Sequence, residues 1–199
     1  MRYPARMLKV IGGQYKSRHL KTPKDSETTR PWTGRARESV FNQLRGHIPD
    51  GAVLDLFAGV GTMGLEAASR GAKAVVMIER DRKVMELLQN NIQTLGCSEQ
   101  VQAVSADALG SVPLLRSPKP LDVAFVDPPY AMMSDDGMRQ RILEQIAKIG
   151  ELLADDGYIV LRSPINPHRV DHTIQALDGP ELHKHGAGMW VLFYGKRTL

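Results

Sequence analysis

The chain has 199 residues, 42% hydrophobic and 24% charged, which is enough apolar material for one sizeable core and close to the usual length of a single domain. Its lone cysteine, Cys97, excludes an internal disulfide framework and a CxxC zinc site, and the six histidines show no metal-ligand spacing. No apolar run approaches the roughly 20 residues of a membrane span, and the basic start Met1 to Arg18 lacks the apolar stretch of a secretory signal, so a cytoplasmic protein is expected.

The net charge of +4 is unevenly distributed, because residues 1–50 hold 11 of the 26 Lys and Arg but only 4 of the 22 Asp and Glu. A basic N-terminal quarter is the footprint of phosphate-backbone binding. Two units are expected: a basic extension over residues 1–50 and a catalytic unit over residues 51–199.

In chain order, Leu8 to Leu20 has short β-type runs around Gly12-Gly13 and reads as a hairpin bearing Lys9, Lys16, Arg18 and Lys21. From Thr33 to Leu44, Ala36, Val40, Phe41 and Leu44 recur at helical spacing, which places Arg35, Arg37 and Arg45 on a polar, basic face. After Gly51 short apolar strands alternate with helices. Strands are expected over Ala52 to Leu56, Ala74 to Ile78, Val101 to Val104, Leu121 to Val126, Tyr158 to Leu161 and Met189 to Tyr194. Helices are expected from Met63 to Ser69, from Arg82 to Leu95 with Asp81 as cap and Gly96 as stop, and from Arg139 to Leu153. Such alternation specifies an α/β, doubly wound, mostly parallel sheet with helices on both faces.

Asp55-Leu-Phe-Ala-Gly59-Val-Gly61-Thr-Met-Gly64 lies where the first strand of this sheet turns into a helix, the place where open α/β sheets bind ligands. The spacing satisfies GxGxxG, so a dinucleotide-dependent dehydrogenase is one reading. Asp55 argues for another, since a carboxylate at the strand end repels a pyrophosphate but attracts the sulfonium and ammonium of S-adenosylmethionine. Gly59 and Gly61 would let the backbone approach that cofactor without an intervening Cβ. Glu79, ending the next strand, suits the ribose hydroxyls of either cofactor. Asp107, past the third strand, suits an adenine amine or, equally, a helix N-cap.

Asp127-Pro128-Pro129-Tyr130 follows the fourth strand at the same sheet edge. An exocyclic base amine is a poor nucleophile because its lone pair is delocalised into the ring. Asp127 and the Pro128 carbonyl can accept its two hydrogens and favour a tetrahedral nitrogen, Pro129 stiffens the turn, and Tyr130 can stack on the extruded base. The chemistry expected is methyl transfer to a nucleic-acid base amine.

With these motifs, Val10-Ile-Gly-Gly-Gln-Tyr-Lys16, Arg30-Pro31, Arg35-Ala-Arg-Glu-Ser-Val-Phe-Asn42 and Gly64-Leu-Glu-Ala67, the chain resembles the class I methyltransferases of the (D/N)PP(Y/F/W) type. Within them it is similar to the bacterial 16S ribosomal RNA guanine-N2 methyltransferase family, the RsmD type, over about residues 8–195. The resemblance implies a Rossmann-like class I fold that binds S-adenosyl-L-methionine, releases S-adenosyl-L-homocysteine and needs no metal. It implies a segment from Arg30 to Arg37 closing over the methionine end of the cofactor through Thr33 and Arg35. Phe57, Arg80 and Ala108 then join Asp55, Gly59, Gly61, Glu79, Asp107 and Asp127 in holding the cofactor. Lys9, Lys16, Arg18, Arg30 and Arg37 would meet ribosomal RNA or a small-subunit ribonucleoprotein particle, with the protein acting as a monomer. The chain departs from the family pattern at Ser17, at Trp32, where the family has Thr after Arg-Pro, and at Gly34. An amino-methyltransferase acting on DNA adenine or another RNA shares the same tetrad, and a non-catalytic ribosome-assembly protein could retain the pocket.

Overall fold

The computed structural model describes residues 8–23, 32–186 and 188–197. The chain opens with a two-stranded antiparallel ladder, β1 (Leu8–Lys9) and β2 (His19–Leu20), followed by α1 (Gly34–Gln43). Then come β3 (Ala52–Leu56), α2 (Thr62–Ser69), β4 (Ala74–Glu79), α3 (Arg82–Leu95), β5 (Val101–Ser105), α4 (Val112–Arg116) and β6 (Leu121–Val126). The C-terminal part contains α5 (Tyr130–Ser134), α6 (Asp136–Gly150), β7 (Leu153–Ser163), β8 (Leu177–Lys184) and β9 (Trp190–Lys196). Strands β3 to β9 form one seven-stranded sheet of order β5-β4-β3-β6-β7-β9-β8, parallel except for β9, which is antiparallel to both its neighbours. This is the Rossmann-like fold expected.

Side-chain alternation divides the core in two, because successive residues of a strand point to opposite faces. Val53, Met77, Val123, Phe125, Val160 and Phe193 face a cluster with α1, α2 and α3. Leu54, Ile78, Ala124, Leu161 and Leu192 face a second cluster with α6. The basic extension enters the first cluster directly, burying Val10, Leu20, Trp32, Val40, Phe41 and Leu44 beside the sheet.

Helix α3 shows how local sequence sets element bounds. The Asp81 side chain accepts hydrogen bonds from the Lys83 and Val84 amides at the first turn, and Gly96 in the left-handed region ends the helix. One strand has no counterpart in the sequence-based assignment. Strand β8 carries Gly179-Pro180 within it and bulges between Asp178 and Glu181, which masks its alternation. Proline cannot donate to a ladder, so an edge position at the end of the sheet is where such a strand is tolerated. Likewise the helix expected to run to Leu153 stops at Gly150, and Leu153 instead begins β7 and pairs with Leu121.

Glu66 in α2 fastens the hairpin to this frame. Fully buried, it accepts from the Ile11 and Gly12 amides at 2.8 Å each, from Arg70 Nε at 2.8 Å, and lies 3.6 Å from Arg37 Nη1. Ser69 adds its Oγ to the Tyr15 amide and its carbonyl to the Gln14 amide. Gly13, at φ +75°, makes this approach possible, since a Cβ there would lie 1.8 Å from the Ser69 oxygen. Among the described residues no helix is long and apolar enough to cross a membrane.

Candidate active site

Strands β3, β6 and β7 are neighbours, and the connections diverge to opposite sides of the sheet between β3 and β6. A crevice outside the carboxyl ends of the strands belongs at such a reversal. Alternation from Val53, Phe125 and Val160 carries Asp55, Asp127 and Arg162 to the α1 side of the sheet, at the ends of these three strands.

Asp55 is 1% exposed, and its Oδ2 accepts from the Gly64 amide of α2 at 2.8 Å. Burial pushes its carboxyl up to about 8, opposed by the Gly64 hydrogen bond and reinforced by the nearby Asp127 and Glu79 charges. A cation delivered to this end of β3 would reverse that balance. Glu79, at the end of β4, accepts from the Gly59 amide at 3.0 Å and the Asp81 amide at 2.8 Å, so it shapes the glycine loop while retaining further acceptor capacity.

The two loop glycines have different reasons. Gly59 faces open space, with no atom within 4 Å of an added Cβ, so its backbone is approachable. Gly61, at φ +91° as the N-cap of α2, faces inward, where a Cβ would meet Leu88 and Leu65 at 2.7 and 2.8 Å. Gly61 therefore serves packing and the turn, which corrects the expectation that it clears room for a ligand. Half-buried Phe57 has φ +60° and packs against the second core cluster. Asp107 is exposed and accepts from the Leu109 amide two residues on at 3.0 Å, a local turn with no helix start, since α4 begins later behind Ser111. Ala108 is buried, and its carbonyl accepts from Gln145 at 3.0 Å. Acids thus stand at the ends of β3 and β4 and just beyond β5, beside an open glycine backbone. This set fits a ligand with cationic and hydroxyl-bearing parts.

Asp127 is engaged on both carboxylate oxygens. Its Oδ2 accepts from Trp32 Nε1 at 2.9 Å, and its Oδ1 lies 2.5 Å from Arg162 Nε. Burial pushes its carboxyl up, and the Arg162 charge and the Trp32 and Arg162 hydrogen bonds pull it back. The Arg162 guanidinium lies 5.2 Å from the ring centroids of both Trp32 and Tyr130, so it sits among two aromatic faces and one carboxylate. Pro128 is buried, Pro129 is exposed, and Tyr130 is half-buried at the first turn of α5.

In the segment expected to close over the cofactor, Thr33 caps α1 by accepting from the Ala36 amide at 3.2 Å, and Arg35 is exposed, as is Arg80 beside the glycine loop. Arg37 does not lie on the basic face. It is 3% exposed, donates to the Lys9 carbonyl at 3.0 Å and pairs with Glu66, so it is structural and is withdrawn from the expected RNA contacts. Helical periodicity classes every arginine as polar; the buried carboxylate that claims this one is 29 positions away in sequence. Lys9, Lys16 and Arg18 are exposed, and Arg30 lies outside the described residues. Two participants were not anticipated. In the sequence Trp32 stands out only as a departure from the family pattern, and Arg162 gives one signal, a charge directly after the apolar run Tyr158 to Leu161. Among the described residues no group of three or more His, Cys, Asp or Glu is placed to hold a metal.

The fold and this edge of the sheet define a class I methyltransferase. A family model described as Conserved hypothetical protein 95 matches residues 8–193, and the chain belongs to that family, the RsmD type. It is 37% identical over 161 residues to Ribosomal RNA small subunit methyltransferase D of Escherichia coli (strain K12), covering 79% of this chain and 75% of the relative. To the Haemophilus influenzae protein of the same name it is 38% identical over 124 residues, 62% of this chain and 64% of the relative. The solved structure of yhhF from Escherichia coli superimposes with a TM-score of 0.78 at 30% identity, covering 96% of this chain and 98% of that one. A hypothetical protein of Thermus thermophilus gives 0.72 at 28% identity, covering 93% and 97%.

Proposed function

We propose that the protein transfers a methyl group from S-adenosyl-L-methionine to the exocyclic N2 amine of a guanine in 16S ribosomal RNA, leaving S-adenosyl-L-homocysteine. The observation that carries this reading is the convergence of Asp55 and Asp127 on one face at adjacent strand ends, beside the open backbone of Gly59. S-adenosylmethionine supplies, when bound, an electrophilic methyl on a cationic sulfonium. Asp55, Glu79 and Asp107 would hold it, and Asp55 would be drawn toward ionisation by its positive charge.

Asp127 and the Pro128 carbonyl accept the two hydrogens of the amine, which directs the nitrogen lone pair out of the ring plane. Tyr130 offers a ring on which the extruded base stacks. Attack by this nitrogen on the methyl carbon would break the carbon–sulfur bond and release the neutral thioether, and the cationic methylated nitrogen would then lose one proton to solvent. The names of the relatives and the exposed Lys9, Lys16 and Arg18 support ribosomal RNA, free or within a small-subunit particle, as the partner of a cytoplasmic monomer. Incubation of purified small-subunit RNA and particles with isotopically labelled methyl donor, followed by nucleoside analysis, tests this. N2-methylguanosine at one site is the expected product, and label confined to adenosine or absent from all assembly forms would overturn the assignment.

A further inference from the structure

We propose that Trp32 and Arg162 are positioning residues that together clamp the Asp127 carboxylate, so that the basic extension completes the geometry of the catalytic tetrad. The inference rests on the amino-methyltransferase reading above for its consequence, and on geometry for its substance. A carboxylate on a single Cβ can rotate about its side-chain bonds, and a rotated carboxylate would offer its lone pairs to the wrong place. Here the two oxygens are fixed from two different elements. Trp32 Nε1 at 2.9 Å from Oδ2 comes from the residue before the α1 cap, and Arg162 Nε at 2.5 Å from Oδ1 comes from the end of β7. Three contacts then make the arrangement over-determined: the ion pair and the two ring faces, each 5.2 Å from the guanidinium.

Neither clamp residue consumes what the reaction needs. Each carboxylate oxygen has a second lone pair, so an incoming amine can be accepted while both donors stay in place. The charged groups facing Asp127 are Arg162 from β7 and Asp55 from β3, with the Trp32 indole as a neutral donor, and of the two charges Arg162 favours the ionised form. Asp55 opposes it whenever it is itself charged. The clamp therefore has two separable parts. Arg162 supplies charge, and Trp32 supplies direction and ties that direction to the extension. The Trp32 indole spans from the extension to the catalytic strand.

The test uses the full-length protein. The chain has two tryptophans, so the indole N–H of Trp32 can be assigned in a proton–nitrogen correlation spectrum by its loss in Trp32→Phe. That signal should show a titration step that disappears in Asp127→Asn. In Arg162→Met the midpoint should rise by about one pH unit or more, and Arg162→Lys should restore part of the shift. In methyl transfer to small-subunit RNA, Trp32→Phe should lower kcat about tenfold or more with KM and S-adenosylhomocysteine affinity nearly unchanged. The acid limb of the kcat profile should move in step with the indole midpoint in Arg162→Met. An indole signal indifferent to Asp127→Asn would overturn the proposal, as would an Arg162→Met protein that melts earlier with an unmoved midpoint. Correct indole titration together with no methyl transfer by the unaltered protein would leave the clamp in place and overturn the functional reading instead.

Discussion

At the scale of single residues, two carboxylates on adjacent strands, 72 positions apart in sequence, have opposite surroundings. Asp55 has a backbone amide and like charges around it, whereas Asp127 has a guanidinium. The sign of the pH effect follows for Asp55. Its folded value of about 8 stands above the unfolded value of about 3.9, so folding costs nothing extra at pH 3 and becomes progressively less favourable as pH rises toward 8. Asp55→Asn keeps an acceptor for the Gly64 amide and should raise the melting temperature increasingly between pH 4 and 8, while weakening S-adenosylmethionine binding about tenfold or more. Differential scanning calorimetry across pH and titration calorimetry check both halves, and an unchanged affinity would remove Asp55 from the cofactor site. Asp127→Asn should cut turnover about a hundredfold or more with S-adenosylhomocysteine affinity kept within a few-fold. Asp127→Ala is the poorer variant, because it leaves buried Arg162 without its charge partner. The positions of both acids at the carboxyl ends of strands were legible in the sequence. Arg162 and the buried role of Arg37 were not, since each depends on a partner that only the packed fold brings near.

At the scale of elements, the extension is fastened to α2 chiefly through one side chain. Glu66 holds two hairpin amides, Arg70 and Arg37 in a place with no solvent access. Removing it leaves Arg37 buried without its carboxylate, a loss of the kind that costs about 3 to 5 kcal/mol. Glu66→Ala should therefore lower the melting temperature by many degrees and speed amide exchange at residues 11–15 before the sheet exchanges. Hydrogen exchange read by mass spectrometry checks it, and uniform exchange across the chain would mean that the hairpin is not held locally. Elements with clean periodicity, such as α3 with its Asp81 cap and Gly96 stop, were readable to the residue. Strand β8 was not, because Gly179-Pro180 interrupts its pattern, and its place is set by pairing with β9.

At the scale of the whole molecule, the question is how a basic surface on the extension relates to a reaction at the sheet edge. Exposed Lys9, Lys16 and Arg18 each add a phosphate-sized attraction if RNA follows the hairpin. Replacing all three by alanine should weaken RNA binding and reduce the slope of log affinity against log salt by about one unit per lost contact. Filter binding over a range of salt concentrations checks this, and an unchanged slope would take the hairpin off the RNA path. The mostly parallel, doubly wound sheet and the placement of both motifs at its carboxyl edge were readable from the alternation of strands and helices, whereas its seventh strand was not. The shared core of extension and sheet was not, because the apolar residues of α1 carry no mark of which partner buries them.

The docking of the hairpin tip on Ser69 fixes a distance as well as a contact. Helix α2 starts behind the glycine loop at the catalytic edge and ends at Ser69, so its eight residues set the tip about 12 Å further along the molecule. If RNA follows the hairpin as proposed, α2 acts as a gauge: a substrate gripped at both ends would present a phosphate run at about that remove from the base it offers. A short oligonucleotide containing the target guanine alone would reach the chemistry and miss the grip, and its length threshold would measure α2 from the outside.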